Sequence, residues 1–357
     1  MNRQIIVEDT VGETRAGVVE NGRLVELHVE RWSEVETRAV EGEIYRGRVR
    51  AVDTALNAAF IDIGVGPDGF LPFGKAGRPK GFHEGAAIGV KIVREAQAEK
   101  GPNLARAEVD EGEAPECLTP AAPLAQRLVA SFGDADAIWS DESAIDLAGA
   151  FEDALQPHVP IPGGGSLYIE PTRAMTTIDV DADGRKGQGN ALKLVESLNV
   201  SAAKEAARQV RLRGLGGIVA IDFVQMRQIP LRKTVEQALR GGFRGDRAKV
   251  DVAPLSQFCV GELARQKRQR SLREIYLDDT GRFSVETCAI AALRRLEAEG
   301  RADRRRRLTL AVSSEVADWL NAAQIDWRGA LTERLGPRFE IETHADWPRD
   351  RCEVSTS

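Results

Sequence analysis

Residues 166–223 read SLYIEPTRAMTTIDVDADGRKGQGNALKLVESLNVSAAKEAARQVRLRGLGGIVAIDF, and this stretch decides the fold. SLYIE and AMTTIDV predict two strands with a hairpin across Pro171-Thr172. A polar, Gly-rich loop follows. A long helix is predicted from about 191 to 213, with Gly214 as its C-cap. GGIVAIDF then predicts a third strand. Asp179 closes MTTID and Asp222 closes IVAID, each behind apolar residues that pin a strand in a core. Ligands of open α/β sheets bind outside the carboxyl ends of strands. Two such carboxylates suit one Mg²⁺, which prefers oxygen ligands and keeps several waters. The ion would acidify a bound water and polarise a phosphoryl oxygen. Asp181, two residues beyond Asp179, points to the same side of an extended strand, where it would complete the site or orient the attacking water. From these features alone the competing reading is a cap or salt-bridge partner at each strand end.

The surrounding cations favour the catalytic reading. Residues 204–250 hold eleven Lys/Arg against four Asp/Glu, whereas residues 108–153 hold twelve acidic side chains and one basic one, Arg127. A chain so polarised can present a basic face despite its net charge of −6. The plainer alternative is a set of solvated helix faces. Spacing puts Arg208 and Arg211 on one helix face, with Arg213 turned away. Arg227, Arg232, Arg247 and Lys249 follow Asp222. Carboxylates among cations fit phosphodiester binding better than sugar or peptide chemistry. No GxxxxGK[ST] loop is present, and GRKGQG at 184–189 reads as a mobile loop over the site. A helix near Pro230, a strand AKVDVA and a basic helix GELARQKRQR complete a mixed α/β layer.

Working outward, residues 3–8 and 14–30 predict short strands with turns at Val11-Gly12 and Asn21-Gly22. GEIYRGRVRAV, NAAFIDIGV, DGFLPF and AAIGVKIVREA predict a small closed barrel of the OB type. On such a barrel Phe60 and Phe70 either stack on bases, with Tyr45, Arg46, Arg48 and Arg50 nearby, or fill the interior. Residues 110–121 read as an acidic linker. A helix at 122–132, a strand ADAIW and a helix at 143–156 come next. Beyond 284 a helix, a strand RRRRLTLAV, two helices and a strand RFEIETH predict a terminal α/β module, with Ser313 as an N-cap. No run approaches the roughly 18 apolar residues of a membrane span, and MNRQIIVEDT lacks the features of a signal peptide. A cytoplasmic location is the default. Cys117, Cys259, Cys288 and Cys352 form no CxxC pair, so zinc is not expected and reduced, mostly buried thiols are. Four scattered histidines give a Ser-His-Asp triad little to build on.

The ordered combination of IDxD, RQxRLRxLGG and IDFxxM resembles the ribonuclease E/G family. GEIYRGRVRAVDTALNAAFIDIGVGPDGFLPF resembles its OB barrel, ending at KGPNLARAEV, and GDRAKVDVAPLSQFCVGELARQKRQRSL its later strand and basic helix. The resemblance implies an α+β multidomain chain. An OB-type RNA-binding barrel (39–110) is inserted in an RNase H-like subdomain (1–38 and 122–158), with 111–121 as linker. A DNase I-like catalytic layer (159–283) and a small C-terminal module (284–357) follow. It implies that Asp179 and Asp222 bind Mg²⁺, with Mn²⁺ able to substitute. It also implies that single-stranded RNA is cut to 5′-phosphate and 3′-hydroxyl ends. Phe60, Phe70 and Lys100 match positions that grip RNA, and Arg208, Arg211, Arg247 and Lys249 are the further candidates for RNA contact.

Three departures stand out. The family's Asn two residues after the first metal Asp is Asp181 here. The segment that senses a 5′-monophosphate is largely missing, and Lys249 replaces a sensor Arg. The CPxC zinc link is replaced by SLREIYLDDTGRF, so any homo-oligomer would use another surface. The rival readings are a non-catalytic RNA-binding protein on the same scaffold and an OB-containing exoribonuclease.

Overall fold

Apolar alternation makes the first thirty residues a meander of β1 (Arg3–Thr10), β2 (Glu13–Glu20) and β3 (Arg23–Arg31), turning at the two predicted places. The computed structural model describes every residue except 1, 2, 36, 79–81, 97–99, 134, 185–190, 324 and 357. The chain forms two units. One holds Met1–Val7, Ala16–His28 and Phe132–Ile275; the other holds Glu8–Arg15, Val29–Ser131 and Tyr276–Ser357. The meander strands therefore contribute to both.

In the second unit β4 (Ile44–Asp53), β5 (Ala58–Asp62), β6 (Gly69–Pro72), β7 (Ala87–Arg94) and β8 (Asn103–Arg106) follow in sequence. They pair in the order β5-β6-β8-β7-β4, and β4 pairs again with β5, closing a five-stranded barrel. The β6–β8 pair is parallel. This is the OB-like topology the sequence predicts. Val49, Ile61, Leu71, Val90, Ile92 and Leu104 fill the interior. Residues 110–121 are not a plain linker, because β9 (Glu116–Thr119) pairs with Ile44–Arg46. β5 starts its pairing only at Arg48, so the first half of β4 has a vacant edge that β9 takes.

Next come α1 (Leu124–Phe132), β10 (Ala135–Trp139) and α2 (Leu147–Leu155). β10 runs parallel to β1, from Arg3↔Ala135 to Val7↔Trp139, in a sheet ordered β10-β1-β2-β3. Asp146 caps α2, accepting from the Gly149 amide at 2.9 Å.

The rest of the first unit is the mixed α/β layer. It comprises β11 (His158–Pro160), β12 (Ser166–Pro171), β13 (Thr176–Asp181), α3 (Ala191–Leu212), β14 (Gly217–Asp222), α4 (Ile229–Gly242), β15 (Val250–Val252), β16 (Val260–Arg265) and α5 (Leu272–Tyr276). The sheet order is β11-β12-β13-β14-β16-β15. Only β13–β14 is parallel, as a strand–helix–strand crossover requires. Leu198, Ala202, Ala203, Ala206, Ala207 and Val210 make a buried stripe on α3. The stripe packs with Val235 and Leu239 of α4 against Leu167, Ile169, Ile178, Val219 and Ile221 of the sheet. α3 ends where predicted: Gly214 adopts φ 67°, the Leu215 amide donates to Val210 O at 3.0 Å and the Gly214 amide to Arg211 O at 3.0 Å.

One element differs from its sequence reading. GELARQKRQR is not a basic helix, since its first half is β16. Gly261, Leu263 and Arg265 alternate inward and Glu262 and Ala264 outward, a period of two that the dense charges mask. Buried Arg265 is held by Asp246, with Nε donating at 2.8 Å.

The terminal module, in the second unit, has α6 (Val285–Ala302), β17 (Leu308–Ser313), α7 (Ser314–Ala322), α8 (Trp327–Leu335), β18 (Phe339–His344) and β19 (Cys352–Thr356). Its sheet is ordered β18-β17-β19. Ser313 caps α7, accepting from the Val316 amide at 3.4 Å. All four cysteines are free thiols. Cys259 and Cys288 are buried, but Cys352 is half-buried and Cys117 exposed, so the expectation of mostly buried thiols holds for two of them. Among the described residues no helix is long and apolar enough to cross a membrane.

Candidate functional site

Asp179 and Asp222 are register partners, on one rung of the parallel pair β13–β14. Neighbouring strands lie roughly 4.7–4.9 Å apart, so the rung sets the carboxylates side by side. On β13, Thr176, Ile178 and Val180 are buried while Asp179 and Asp181 are exposed. On β14, Val219 and Ile221 are buried and Asp222 is exposed. Both carboxylates thus leave the helix-covered face and stand on the open one. Neither has a hydrogen-bond or ion-pair partner among the described residues. Two adjacent, unneutralised carboxylates with oxygen-only donors fit a hard divalent cation.

Asp181 also faces this side, but its Oδ1 accepts from the Asp183 amide at 2.9 Å, a turn into the loop. Among the described residues no group of three or more His, Cys, Asp and Glu side chains converges to hold an ion. The structure thus sets Asp179 beside Asp222 on one rung and ties Asp181 to the turn beyond it. The Gly-rich segment read as a mobile loop over the site falls, beyond Gly184, outside the described residues.

Sequence reasoning missed Asn199. It is fully buried on α3, where its Nδ2 donates to Val224 O at 2.7 Å and its Oδ1 accepts from the Val224 amide at 3.1 Å. This clamp fixes the chain just past Asp222. The available signal was a polar residue within the apolar stripe of α3. The Cys259 thiol adds a second tie, with Sγ accepting from the Met226 amide at 3.0 Å.

The candidate RNA-contacting cations are disposed differently from the expectation. Arg211 is only 3% exposed and pairs with Glu20 and Glu26, each at 3.2 Å, so it is withdrawn as an RNA contact. Arg208 grips Glu205 at 3.0 Å and donates to Leu24 O at 2.9 Å. Arg247 donates to Glu26 at 3.1 Å and lies 4.8 Å from the Phe132 ring centroid. Arg213 is buried, which pulls its guanidinium down to about 10, helped by the charge of Arg208. Lys249 alone of the four candidates is well exposed, pairing with Asp251 at 3.2 Å. Burial pushes the Glu26 carboxyl up. The His28 hydrogen bond and the charges of His28, Arg247 and Arg211 outweigh it, holding Glu26 well below the usual range. Much of the basic run is thus internal ion pairing.

On the barrel, Phe60 and Phe70 are cross-strand partners. Their ring centroids lie 5.8 Å apart, edge to face. Ala59, Ile61 and Leu71 point inward, so both rings sit half-buried on the outer surface and do not fill the interior. Lys100 is exposed. It precedes Gly101, where a Cβ would fall 1.8 Å from Asp68 O, so only glycine lets this segment lie against the chain leading into Phe70. Tyr45, by contrast, is buried, with its hydroxyl donating to Glu43 at 2.7 Å. Arg46 is buried too, donating to Asp110 O at 3.0 Å and Glu113 O at 3.1 Å. Arg48 donates to Ala114 O at 2.5 Å, and Arg50 to Asp62 at 2.6 Å. The acidic segment thus holds Arg46 and Arg48, while Arg50 stays exposed with Asp62 as its partner.

The sequence model of the ribonuclease E/G family matches residues 107–268, which include both carboxylates of the shared rung. Ribonuclease E of Haemophilus influenzae is 33% identical over 50% of this chain and 20% of its own length. Ribonuclease E of Escherichia coli is 31% identical over 58% of this chain and 19% of its own. Ribonuclease G of Escherichia coli is 24% identical over 80% of this chain and 85% of its own. The chain thus spans about a fifth of the ribonuclease E sequences and most of ribonuclease G. With the ordered motifs and the paired strand ends that carry Asp179 and Asp222, these matches show what the chain is similar to, the ribonuclease E/G family, whose sequence model covers under half of its residues.

Proposed function

We propose that this chain is a Mg²⁺-dependent endoribonuclease that cuts single-stranded RNA to 5′-phosphate and 3′-hydroxyl ends, in RNA processing or decay in the cytoplasm. The observation that carries the reading is the shared rung of Asp179 and Asp222 on an open sheet face. Those two carboxylates would hold the ion, which supplies a water acidified for attack and charge stabilisation at phosphorus. The chain's own part is placement. Asn199 fixes the segment beyond Asp222, and the apolar faces of β13 and β14 hold both acids outward. Asp181, anchored to its turn, orients water near the phosphate. Phe60, Phe70 and Lys100 grip RNA on the barrel, the rings by stacking and the lysine by its charge. Unpaired RNA suits this surface because splayed bases expose their faces. In this reading the meander with β10, α1 and α2 is the RNase H-like subdomain, and the six-stranded layer is DNase I-like.

The test is incubation of an unstructured oligoribonucleotide with Mg²⁺ or with EDTA, followed by end analysis. Discrete internal cuts that need the ion and leave 5′-phosphates are expected. RNA bound but uncut marks the scaffold as a binding protein only, and mononucleotides mark an exonuclease. Replacing Phe60 and Phe70 by Ala is expected to weaken binding of the same oligonucleotide roughly 5- to 100-fold per ring, at about 1–3 kcal/mol of stacking. Circular dichroism should stay unchanged because both rings lie outside the barrel core. Unaltered affinity in a filter-binding titration removes them from the RNA path.

A further inference from the structure

The rung that carries the two acids continues across the sheet. Tyr168 of β12 is the register partner of Asp179, and His158 of β11 is the register partner of Tyr168. His158, Tyr168, Asp179 and Asp222 are all exposed, so they form a row on the open face. Tyr168 is 39% exposed, although burial of a ring this size is normally favourable. The two rings lie 5.1 Å apart between centroids, inclined at 53°. At the sheet edge past His158 lies a groove of about 530 Å³ whose lining includes His158, Gln156, Arg23, Arg208, Asp153 and Glu205. The Arg23 side chain, 58% exposed, stands at its lip.

We propose that Tyr168 and His158 form a nucleobase-stacking subsite next to the carboxylate pair, taking the unpaired base of a nucleotide adjoining the scissile phosphate. The inference rests on the nuclease reading above, because the subsite is defined by its place beside Asp179. Three features select this occupant. An aromatic face set directly beside acids offers no attraction to a further carboxylate or phosphate, but it does to a flat, neutral π-surface. The inclined His158 ring gives the base a side wall. Arg23 at the lip beyond His158, 58% exposed although paired with Glu205 at 3.1 Å, supplies a donor for the next phosphate along the strand. The backbone thus reads, in order, a cation seat for the phosphate being cut, a platform for a base and an exit past Arg23.

The experiment uses the full chain and a single-stranded RNA carrying 2-aminopurine at successive positions, titrated in EDTA so that no cleavage intervenes. Aminopurine at one position should be quenched on binding. Tyr168→Ala should abolish that quenching and weaken binding roughly 5- to 100-fold, whereas Tyr168→Phe should retain both. An abasic nucleotide at the responsive position should weaken the wild type by a similar factor and add nothing to Tyr168→Ala. Unaltered binding by Tyr168→Ala, or a full abasic penalty in that variant at every position, overturns the proposal. So does a dimer that Tyr168→Ala converts to monomer in sedimentation, because the face then seats a second copy of the chain. If Asp222→Asn still cuts while the aminopurine response depends on Tyr168, the nuclease assignment fails and the stacking subsite stands. If Asp222→Asn is inactive and Tyr168→Ala binds normally, the reverse holds.

Discussion

Asp222→Asn, and separately Asp179→Asn, is expected to cut RNA about a thousandfold more slowly than the wild type, or less, in Mg²⁺. A metal site contributes several kcal/mol of charge stabilisation, and each roughly 1.36 kcal/mol is tenfold in rate. The fold should not suffer. Both side chains are exposed and lack a partner among the described residues, and each substitution removes one of two like charges from a shared rung. Thermal stability without metal should therefore hold or rise slightly, and RNA affinity in EDTA should hold or tighten. That sign separates a cation seat from a pair of structural acids, whose loss would lower stability. Single-turnover cleavage and melting curves of the three proteins give the answer. Wild-type cleavage rates in both variants would falsify the site.

The largest loss of stability is expected at Glu26 and Arg211. The two lie 185 residues apart in sequence, yet are joined at 3.2 Å, and their side chains are 3% and 5% exposed for arginine and carboxylate respectively. Arg211 also meets Glu20, and Glu26 also meets His28 and Arg247, each at 3.1–3.2 Å. Removing one member leaves the charges of this poorly solvated network unbalanced, at a cost of up to roughly 3–5 kcal/mol. Glu26→Gln and Arg211→Met should each lower the urea midpoint accordingly. The double replacement should lose less than the sum, because neither ion is then stranded. The pH dependence follows from the depressed Glu26 carboxyl. Its contribution is full above the unfolded value of about 4.3 and falls away as acid passes below that into the folded-state range. The wild type should therefore lose stability steeply on acidification below about pH 4, and Glu26→Gln more gently. Parallel acid-unfolding curves for the two would remove Glu26 as the source.

What was readable in the chain divides by range. The outward placement of Asp179 and Asp222 follows from local alternation, IDxD on one strand and VxID on the other. Their adjacency follows from the single helix between them, which makes parallel neighbours the natural pairing. Strand spacing, Gly and hydrophobic alternation were likewise enough for the barrel. Whether Phe60 and Phe70 point in or out required the register of β5 against β6. The fate of Arg211 and Arg247 was hidden, because their partners Glu20 and Glu26 lie 191 and 221 residues upstream and no window of sequence contains both ends of the bond. β16 was misread for a related reason. Its inward arginine meets Asp246, nineteen positions away, and a buried ion pair makes a strand look like a solvated helix. β9 escaped because its partner edge is vacant only once β5 stops short.

A ladder slip of one residue between β13 and β14 would preserve most backbone pairing yet rotate one acid into the hydrocarbon interior. What forbids the slip is the fit of Ile178 and Val180 with Val219 and Ile221 beneath the sheet. These oily side chains act as the ruler that fixes the gap between the two acids. A volume change among them would detune the chemistry above without touching a polar atom.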